Sequence, residues 1–600
     1  MNDHAPVSAN TNEVRIRGNG YTAEAGWFGP EDRPRFGWLY RPDRPAPNGV
    51  GVVIVPPFGA EAICAHRSLR HLAENAARAG HVAIRFDLDG TGDSAGDDHD
   101  SDRVAAWLAS IHDACNLVRC SGATRLVLIG TRLGATLAAL ASQSRQDIAA
   151  LITINAVIRG RDFLREARAL QATMGLRPPP RPAPDNGGQE VNGFAISPET
   201  HSRLGLIDLC QETAPRAPAV LMIERDDMPE RKKWPDQLRE HGIDVQVTRL
   251  AGVREMLDPP HLAIVSTAVV NACIDYLESV PRTGDIAADA VTPESLRPCI
   301  SLETNGVVIT ERVVMIEASL FGIVTETPAK SSRRDNIVLL NAGANTHGGP
   351  NRLYVTWARC WAAAGSRVLR ADLTGIGDSP TQHDAPENRV YGPLGIPDTI
   401  TLTDWLRHSG TGRIAVGGVC SGGYHALRSA IAGAQADAVF MVNPGALRDI
   451  GVITNEATEQ VQNSYYSNQI KSGQVWRKLA RVTPGKLWQV AKWYLSTYGG
   501  TALRETARRL HLPMRDDLGS ELQTLAQRDV QTHFVFSADD PSRALLTANA
   551  GSVVGSLMRA GKLTVDLVDG PNHTFTQCWS HQPLQQTLGR ILFTKAPPHQ

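Results

Sequence analysis

The sequence predicts an α/β protein made of two tandem domains of similar size, each a mostly parallel sheet flanked by helices. Three observations predict it. The chain has 600 residues, too many for one ordinary domain, since domains of this class run to about 250 residues. The motif Arg85-Phe-Asp-Leu-Asp-Gly-Thr-Gly-Asp-Ser94 returns 285 positions later as Arg370-Ala-Asp-Leu-Thr-Gly-Ile-Gly-Asp-Ser379, the mark of an internal duplication. Short apolar runs rich in β-branched residues alternate with stretches of helical periodicity in both halves, the pattern of parallel strands covered on both faces.

The repeat fixes the domain boundaries. Gly80 pairs with Gly365 and Arg67 with Arg352 at the same offset of 285, while Gly130-Thr-Arg-Leu-Gly134 answers Gly418-Val-Cys-Ser-Gly422, and Asn155 answers Asn443, at 288. Between the halves, a polar segment rich in small residues and without apolar periodicity reads as a linker. The expected organisation is residues 1–284, a linker at 285–297, and residues 298–600. In the first half the strands are expected at 51–55, 81–86, 125–129, 149–154 and 219–223. Those of the second are expected at 336–340, 367–370, 413–416, 438–442, 533–536 and 562–568.

Composition narrows the classes of function. With 61 basic and 62 acidic side chains there is no basic excess for a nucleic-acid partner. The first twenty residues lack the apolar core of a signal peptide, and no stretch reaches the roughly 18 uncharged apolar residues of a membrane helix. A cytoplasmic chain with no membrane span is expected. The nine cysteines are odd in number and never form a C-x-x-C pair, so neither a disulfide framework nor a zinc site is indicated. No metal and no cofactor is expected.

Chemistry concentrates on the turns of the second half. A strand ending at Val416, then Gly-Gly-Val-Cys-Ser-Gly-Gly and a helical Tyr-His-Ala-Leu-Arg-Ser-Ala, spells a nucleophile elbow with Cys420 in the nucleophile slot. A thiol at a helix N-terminus favours its thiolate. In such enzymes the acid follows a late strand and the histidine a later loop. His533-Phe-Val-Phe-Ser-Ala-Asp-Asp-Pro541 offers Asp540 as the acid, with Asp539 as the fallback, and Asp569-Gly-Pro-Asn-His573 offers His573 as the base. For the oxyanion hole, Ser421 supplies a backbone N–H by position, and Ala344, in the Gly-rich loop after an early strand, is the candidate for the second. His425 and His347 read as packing or loop residues.

The first half keeps the frame and loses the nucleophile. Arg132 occupies its elbow, with Asp227 and His261 at the acid and histidine positions. A guanidinium cannot attack a carbonyl. It either pairs with Asp227 to lock an inactive site or holds an anionic substrate group, and the structural role is the preferred reading.

Asp-Leu-x-Gly-x-Gly-Asp-Ser ahead of an elbow resembles the α/β-hydrolase superfamily in both halves, the serine aminopeptidase-like hydrolases in particular. The halves look like the two hydrolases associated with exosortase A gene clusters. One of those carries Arg in its elbow (here Gly130-Thr-Arg-Leu-Gly-Ala-Thr-Leu137) and the other Cys (here Gly418-Val-Cys-Ser-Gly422). The likeness spans about residues 15–280 and 298–595 and implies a cytoplasmic α/β hydrolase. Cys420-Ser-Gly-Gly423 also resembles the G-x-C-x-G-G box of polyhydroxyalkanoate synthases, which carry acyl groups as cysteine thioesters. Dienelactone hydrolases share the exchange of Ser for Cys.

These features together point to a cysteine-dependent acyltransferase or thioesterase acting on a thioester borne by an acyl or peptidyl carrier protein or by CoA. Ester hydrolysis by the same triad, and a non-catalytic pseudohydrolase scaffold, are the alternatives. A helical lid is expected at about 445–525, where aromatics such as Trp476, Trp488 and Trp493 are interleaved with Lys471, Arg477 and Lys492. A basic face there suits an acidic carrier or the phosphate of a pantetheine arm.

Overall fold

The computed structural model describes residues 14–173, 188–282, 294–328, 335–382, 385–410, 412–448 and 517–593. In the first half nine strands form one sheet: β1 (Val14–Gly18), β2 (Tyr21–Phe28), β3 (Arg35–Pro42), β4 (Val50–Val55), β5 (Ala83–Phe86), β6 (Arg125–Thr131), β7 (Ile148–Ile154), β10 (Ala219–Arg225) and β11 (Asp244–Leu250). A separate hairpin, β8 (Gln189–Val191) and β9 (Phe194–Ile196), lies outside it. Spatial order in the sheet is β1-β2-β3-β5-β4-β6-β7-β10-β11. The β1-β2, β2-β3 and β3-β5 pairings are antiparallel, and the rest are parallel.

The second half repeats this arrangement strand for strand. Its members are β12 (Cys299–Thr304), β13 (Val307–Ile316), β14 (Leu320–Glu326), β15 (Asn336–Leu340), β16 (Arg367–Ala371), β17 (Ile414–Val419), β18 (Ala438–Val442), β19 (Gln531–Ser537) and β20 (Leu563–Val568). They run in the order β12-β13-β14-β16-β15-β17-β18-β19-β20. The chain is two tandem α/β domains, each a mostly parallel sheet flanked by helices. The predicted parallel strands stand where the apolar runs placed them; the antiparallel strands at one edge of each sheet, and β11 at the other, extend the expected architecture.

Side-chain alternation explains why the sheets are covered on both faces. Val53 and Val55 of β4 enter one apolar cluster and Val52 and Ile54 the opposite one. Val338 and Leu340 of β15 divide from Ile337 and Leu339 in the same way. Helices such as Ala60–Arg78, Arg103–Cys120, Leu353–Ala363 and Gly395–Ser409 supply the covering layers. Among the described residues no helix is long and apolar enough to cross a membrane.

Residues 294–297 of the expected linker lie on the first half. Arg297 exchanges two backbone hydrogen bonds with Trp27, and Leu296 is buried in that half's core. Residues 285–293, like lid residues 449–516 with their aromatic and basic side chains, fall outside the described residues.

The repeated Asp-Leu-x-Gly-x-Gly-Asp-Ser loop builds the junction between the halves. Within each loop the first aspartate accepts the N–H of the second, Asp93 to Asp87 and Asp378 to Asp372, both at 2.9 Å. The serine hydroxyl donates to the first aspartate's carbonyl and accepts the N–H of Phe36 or Phe321. The second aspartate is thereby aimed across the junction. Arg85 donates to Asp378, and its counterpart Arg370 donates to Asp93. Reciprocal contacts between equivalent residues describe an isologous interface, as in a twofold dimer.

Candidate active site

Cys420 stands between β17 and the helix Ser421–Ala432 with φ 55° and ψ −116°. Arg132, between β6 and the helix Leu133–Ser142, has φ 54° and ψ −120°. A left-handed non-glycine backbone costs on the order of 1 to 3 kcal/mol and persists where the surroundings enforce it; both halves have kept the same strained elbow. Crowding explains the flanking glycines. A Cβ on Gly422 would lie 2.4 Å from the carbonyl oxygen of Leu340, and one on Gly134 would lie 2.3 Å from that of Pro56.

Around Cys420 the structure brings together two of the residues expected from sequence, His573 and Asp540. His573 Nδ1 lies 2.7 Å from Asp540 Oδ2, and Asp540 Oδ1 is held by the hydroxyl and N–H of Ser542. The second imidazole nitrogen is buried, without a nitrogen or oxygen partner, and faces the Cys420 thiol. Asp540 is buried, whereas the fallback Asp539 is exposed. Burial works to raise the Cys420 thiol, but the adjacent imidazolium and the N–H of Ser421 outweigh it and bring the thiol below its ordinary value. Burial would lower His573; the thiolate and Asp540 hold it well above the usual histidine range. Asp540 is kept below the ordinary carboxylate value by His573 and Ser542 against the effect of burial. These shifts favour a thiolate at Cys420 beside a charged His573, with the Asp540 carboxylate behind the ring.

Of the expected oxyanion donors, the Ser421 N–H points at Cys420 Sγ. Ala344 lies half-buried on the loop after β15. Its neighbour Gly343 donates its N–H to Ser421 Oγ at 2.7 Å, and that hydroxyl donates to the Asn341 carbonyl at 3.0 Å, tying the loop to the elbow.

Sequence reasoning missed the group that sets the histidine loop. Asn443, with φ 42° after β18, donates to the carbonyl of His573 at 2.8 Å and accepts the N–H of Ser537, also at 2.8 Å. Its repetition as Asn155, with φ 47°, was the available signal. His425 is buried, accepts no charge because burial pushes it down to about 4, and bonds the Val390 carbonyl at 2.8 Å. His347 bridges Asp372 at 2.9 Å and Asp93 at 2.7 Å. Ligand atoms of His347, Asp372 and Asp378 lie within 4.8 Å of one another. Both imidazole nitrogens already face carboxylates, so the ring itself supplies the positive charge.

The first-half site departs from the expected pairing of Arg132 with Asp227. Arg132 donates to Glu61 at 2.8 Å and to Glu166 at 2.7 Å. Asp227 is exposed and accepts from Nε and Nη2 on one edge of the Arg225 guanidinium, at 2.9 and 2.7 Å. The acid loop therefore finds its cation two residues away on its own strand, and helix carboxylates meet the elbow arginine first. His261 is exposed. A cavity of about 340 Å³ beside Arg132 is lined by Arg159, Glu166, Arg231 and Lys233 among others. Arg231 is paired with Glu224 and Arg159 with Asp208.

No protein-family model and no curated protein matches the chain. Among solved structures, it is similar to a proline iminopeptidase of Mycobacterium smegmatis (17% identity, 44% of this chain and 100% of that one, TM-score 0.31). It is also similar to Est1E of Butyrivibrio proteoclasticus with bound ferulic acid (16% identity, 42% and 98%, TM-score 0.32). A third is the esterase PF2001 of Pyrococcus furiosus (14% identity, 46% and 99%, TM-score 0.30).

Proposed function

We propose that the second half is a cysteine-dependent acyl-transfer enzyme, a thioesterase or acyltransferase that forms acyl-Cys420 from a thioester carried by a carrier protein or CoA. The observation that carries this reading is the position of His573, with one nitrogen on Asp540 and the other, buried, facing the elbow thiol. The Cys420 thiolate adds to the thioester carbonyl, and the oxyanion that forms is received by the Ser421 N–H and the N–H proposed for Ala344. Collapse breaks the bond to the carrier sulfur, which takes the proton of the imidazolium. His573, now neutral, removes a proton from the acceptor as it attacks the acyl-cysteine, and Cys420 leaves as thiolate. Asp540 fixes the imidazole tautomer through both steps.

Cysteine suits this chemistry because exchange between a thiolate and a thioester is close to thermoneutral, and the acyl-cysteine stays activated toward a thiol, an amine or water. Hydrolysis of esters would use the same groups. The first half, with Arg132 committed to Glu61 and Glu166, serves as a non-catalytic partner domain. The test is intact mass after incubation with acyl-CoA and acyl-carrier thioesters. An adduct equal to the acyl group, absent in Cys420→Ala, is expected. No adduct and no turnover with any activated acyl donor would instead make the chain a scaffold.

A further inference from the structure

Beyond the triad, one more polar group reaches the thiol, and it arrives on a segment held by the other half of the chain. The Tyr391 hydroxyl lies beside Cys420 Sγ. The two atoms converge on one spot, since a Cβ on Gly445 would lie 2.5 Å from Tyr391 Oη and 3.3 Å from Cys420 Sγ. Glycine at 445 keeps that spot clear. The phenol ring is set edge-on against Tyr424, with centroids 5.1 Å apart, and packs on His425 at 6.2 Å. The imidazole of His425 holds the Val390 carbonyl, the residue just before.

The N-terminal end of this segment is fastened to the first half. Glu387 accepts from Arg70 and meets His71 Nε2 at 2.8 Å. Asn388 donates to the Pro260 carbonyl at 2.7 Å, beside His261. Its own N–H goes to the Gly375 carbonyl at 2.9 Å, so the chain turns there with φ 66°. Tyr391 lies four positions beyond the clamp at Glu387, and between them the backbone is pinned at both Asn388 and Val390.

We infer that Tyr391 is a further catalytic residue, donating a hydrogen bond to the Cys420 thiolate, and that Glu387 and Asn388 are positioning residues through which the first half sets that donor. The inference rests on Cys420 being the nucleophile. A phenol that donates to a thiolate stabilises it against protonation, and the phenol stays protonated because burial and the adjacent thiolate push its own ionisation well above the usual range. No proton is transferred: the donor stabilises the resting ion pair and is released as Sγ bonds to carbon. The first half thus has a use at the site although its own elbow holds arginine.

The experiment needs no substrate. Alkylation of Cys420 by iodoacetamide in the full-length chain is followed against pH, peptide by peptide, by mass spectrometry. Tyr391→Phe is expected to move the midpoint of Cys420 alkylation upward by about one pH unit, with the unfolding temperature of the parent protein retained. Glu387→Gln, remote from the sulfur, is expected to move it in the same direction by less. An unchanged midpoint in Tyr391→Phe would overturn the catalytic assignment, and one unchanged in Glu387→Gln alone would overturn the positioning role. A parent protein whose Cys420 alkylates with the midpoint of an ordinary thiol, near about 8.5, would overturn the nucleophile reading itself, which keeps the two failures apart.

Discussion

Phe36 and Phe321, the same position in the two halves, pack against each other with ring centroids 6.5 Å apart, and the backbone N–H of each is held by the serine of its own Asp-Ser loop at 2.9 Å. The pseudo-twofold axis relating the halves passes between them, and the ion pairs from Arg85 to Asp378 and from Arg370 to Asp93 flank it. Arg370 is fully buried and shared between Asp93 and Glu311. Removing one carboxylate leaves a buried cation half-compensated, a loss on the order of 3 kcal/mol. Asp93→Asn should therefore lower the unfolding temperature and separate a single calorimetric transition into two, one for each half. A single transition at the parent temperature would show that the junction does not couple them.

His347 gives the same junction a pH dependence. Burial alone would lower its pKa, but Asp372 and Asp93 outweigh it and hold it well above 6.5. Arg370 and Asp378 also border this cluster. Because the folded value is raised, the contribution of the charged ring is fully present below the unfolded value of about 6.5 and is lost as pH rises through the folded value. The unfolding temperature of the parent protein should fall as pH rises from about 6.5 toward the folded value, and the fall should be shallower in His347→Gln. Parallel pH profiles for the two proteins would remove this account.

The sequence made the parallel core readable because strands buried on both faces must be continuously apolar, as in Val50–Val55, where all six residues are buried. The outermost antiparallel strands escaped because they are half exposed: β1 reads Val-Arg-Ile-Arg-Gly and buries only Val14 fully, and β12 buries only Ile300 fully. The elbow, Asp540 and His573 were legible because that chemistry fixes order and turn type along the chain. The role of Asp93 was not legible, since nothing local says that its carboxylate meets an arginine 277 positions away. Tyr391 was hidden for the same reason, in a polar segment whose anchors belong to the other half.

In the first half, Arg132 is paired with Glu61, which is largely buried, and with Glu166, whose side chain is 62% exposed. Burial would raise Glu61, and it does so despite the arginine beside it. Arg132→Ala should cost roughly 2 kcal/mol, less than a fully buried pair because Glu166 can turn to water. It should leave the turnover of the folded fraction intact. Denaturant unfolding and an assay on the same preparation check both. Loss of turnover without loss of stability would give Arg132 a role in binding a ligand.

Asp540 and Asp539 are adjacent carboxylates in very different surroundings, which makes them a sharp comparison. Asp540 is buried behind His573, while Asp539 is exposed. In Asp540→Asn the amide no longer selects the tautomer with its proton on Nδ1, and turnover of a thioester should fall by on the order of 10² to 10⁴-fold. Asp539→Asn should stay within about twofold, as for a surface change. The pH profile carries more information than the rate. With Cys420 lowered and His573 raised, the reactive ion pair exists above the thiol's pKa and below the imidazole's, so activity should rise and then fall with pH. Losing the Asp540 carboxylate removes one of the causes that raise His573, so the alkaline limb of Asp540→Asn should move to lower pH. If that limb stays in place while the rate falls, Asp540 orients the ring without stabilising its charge.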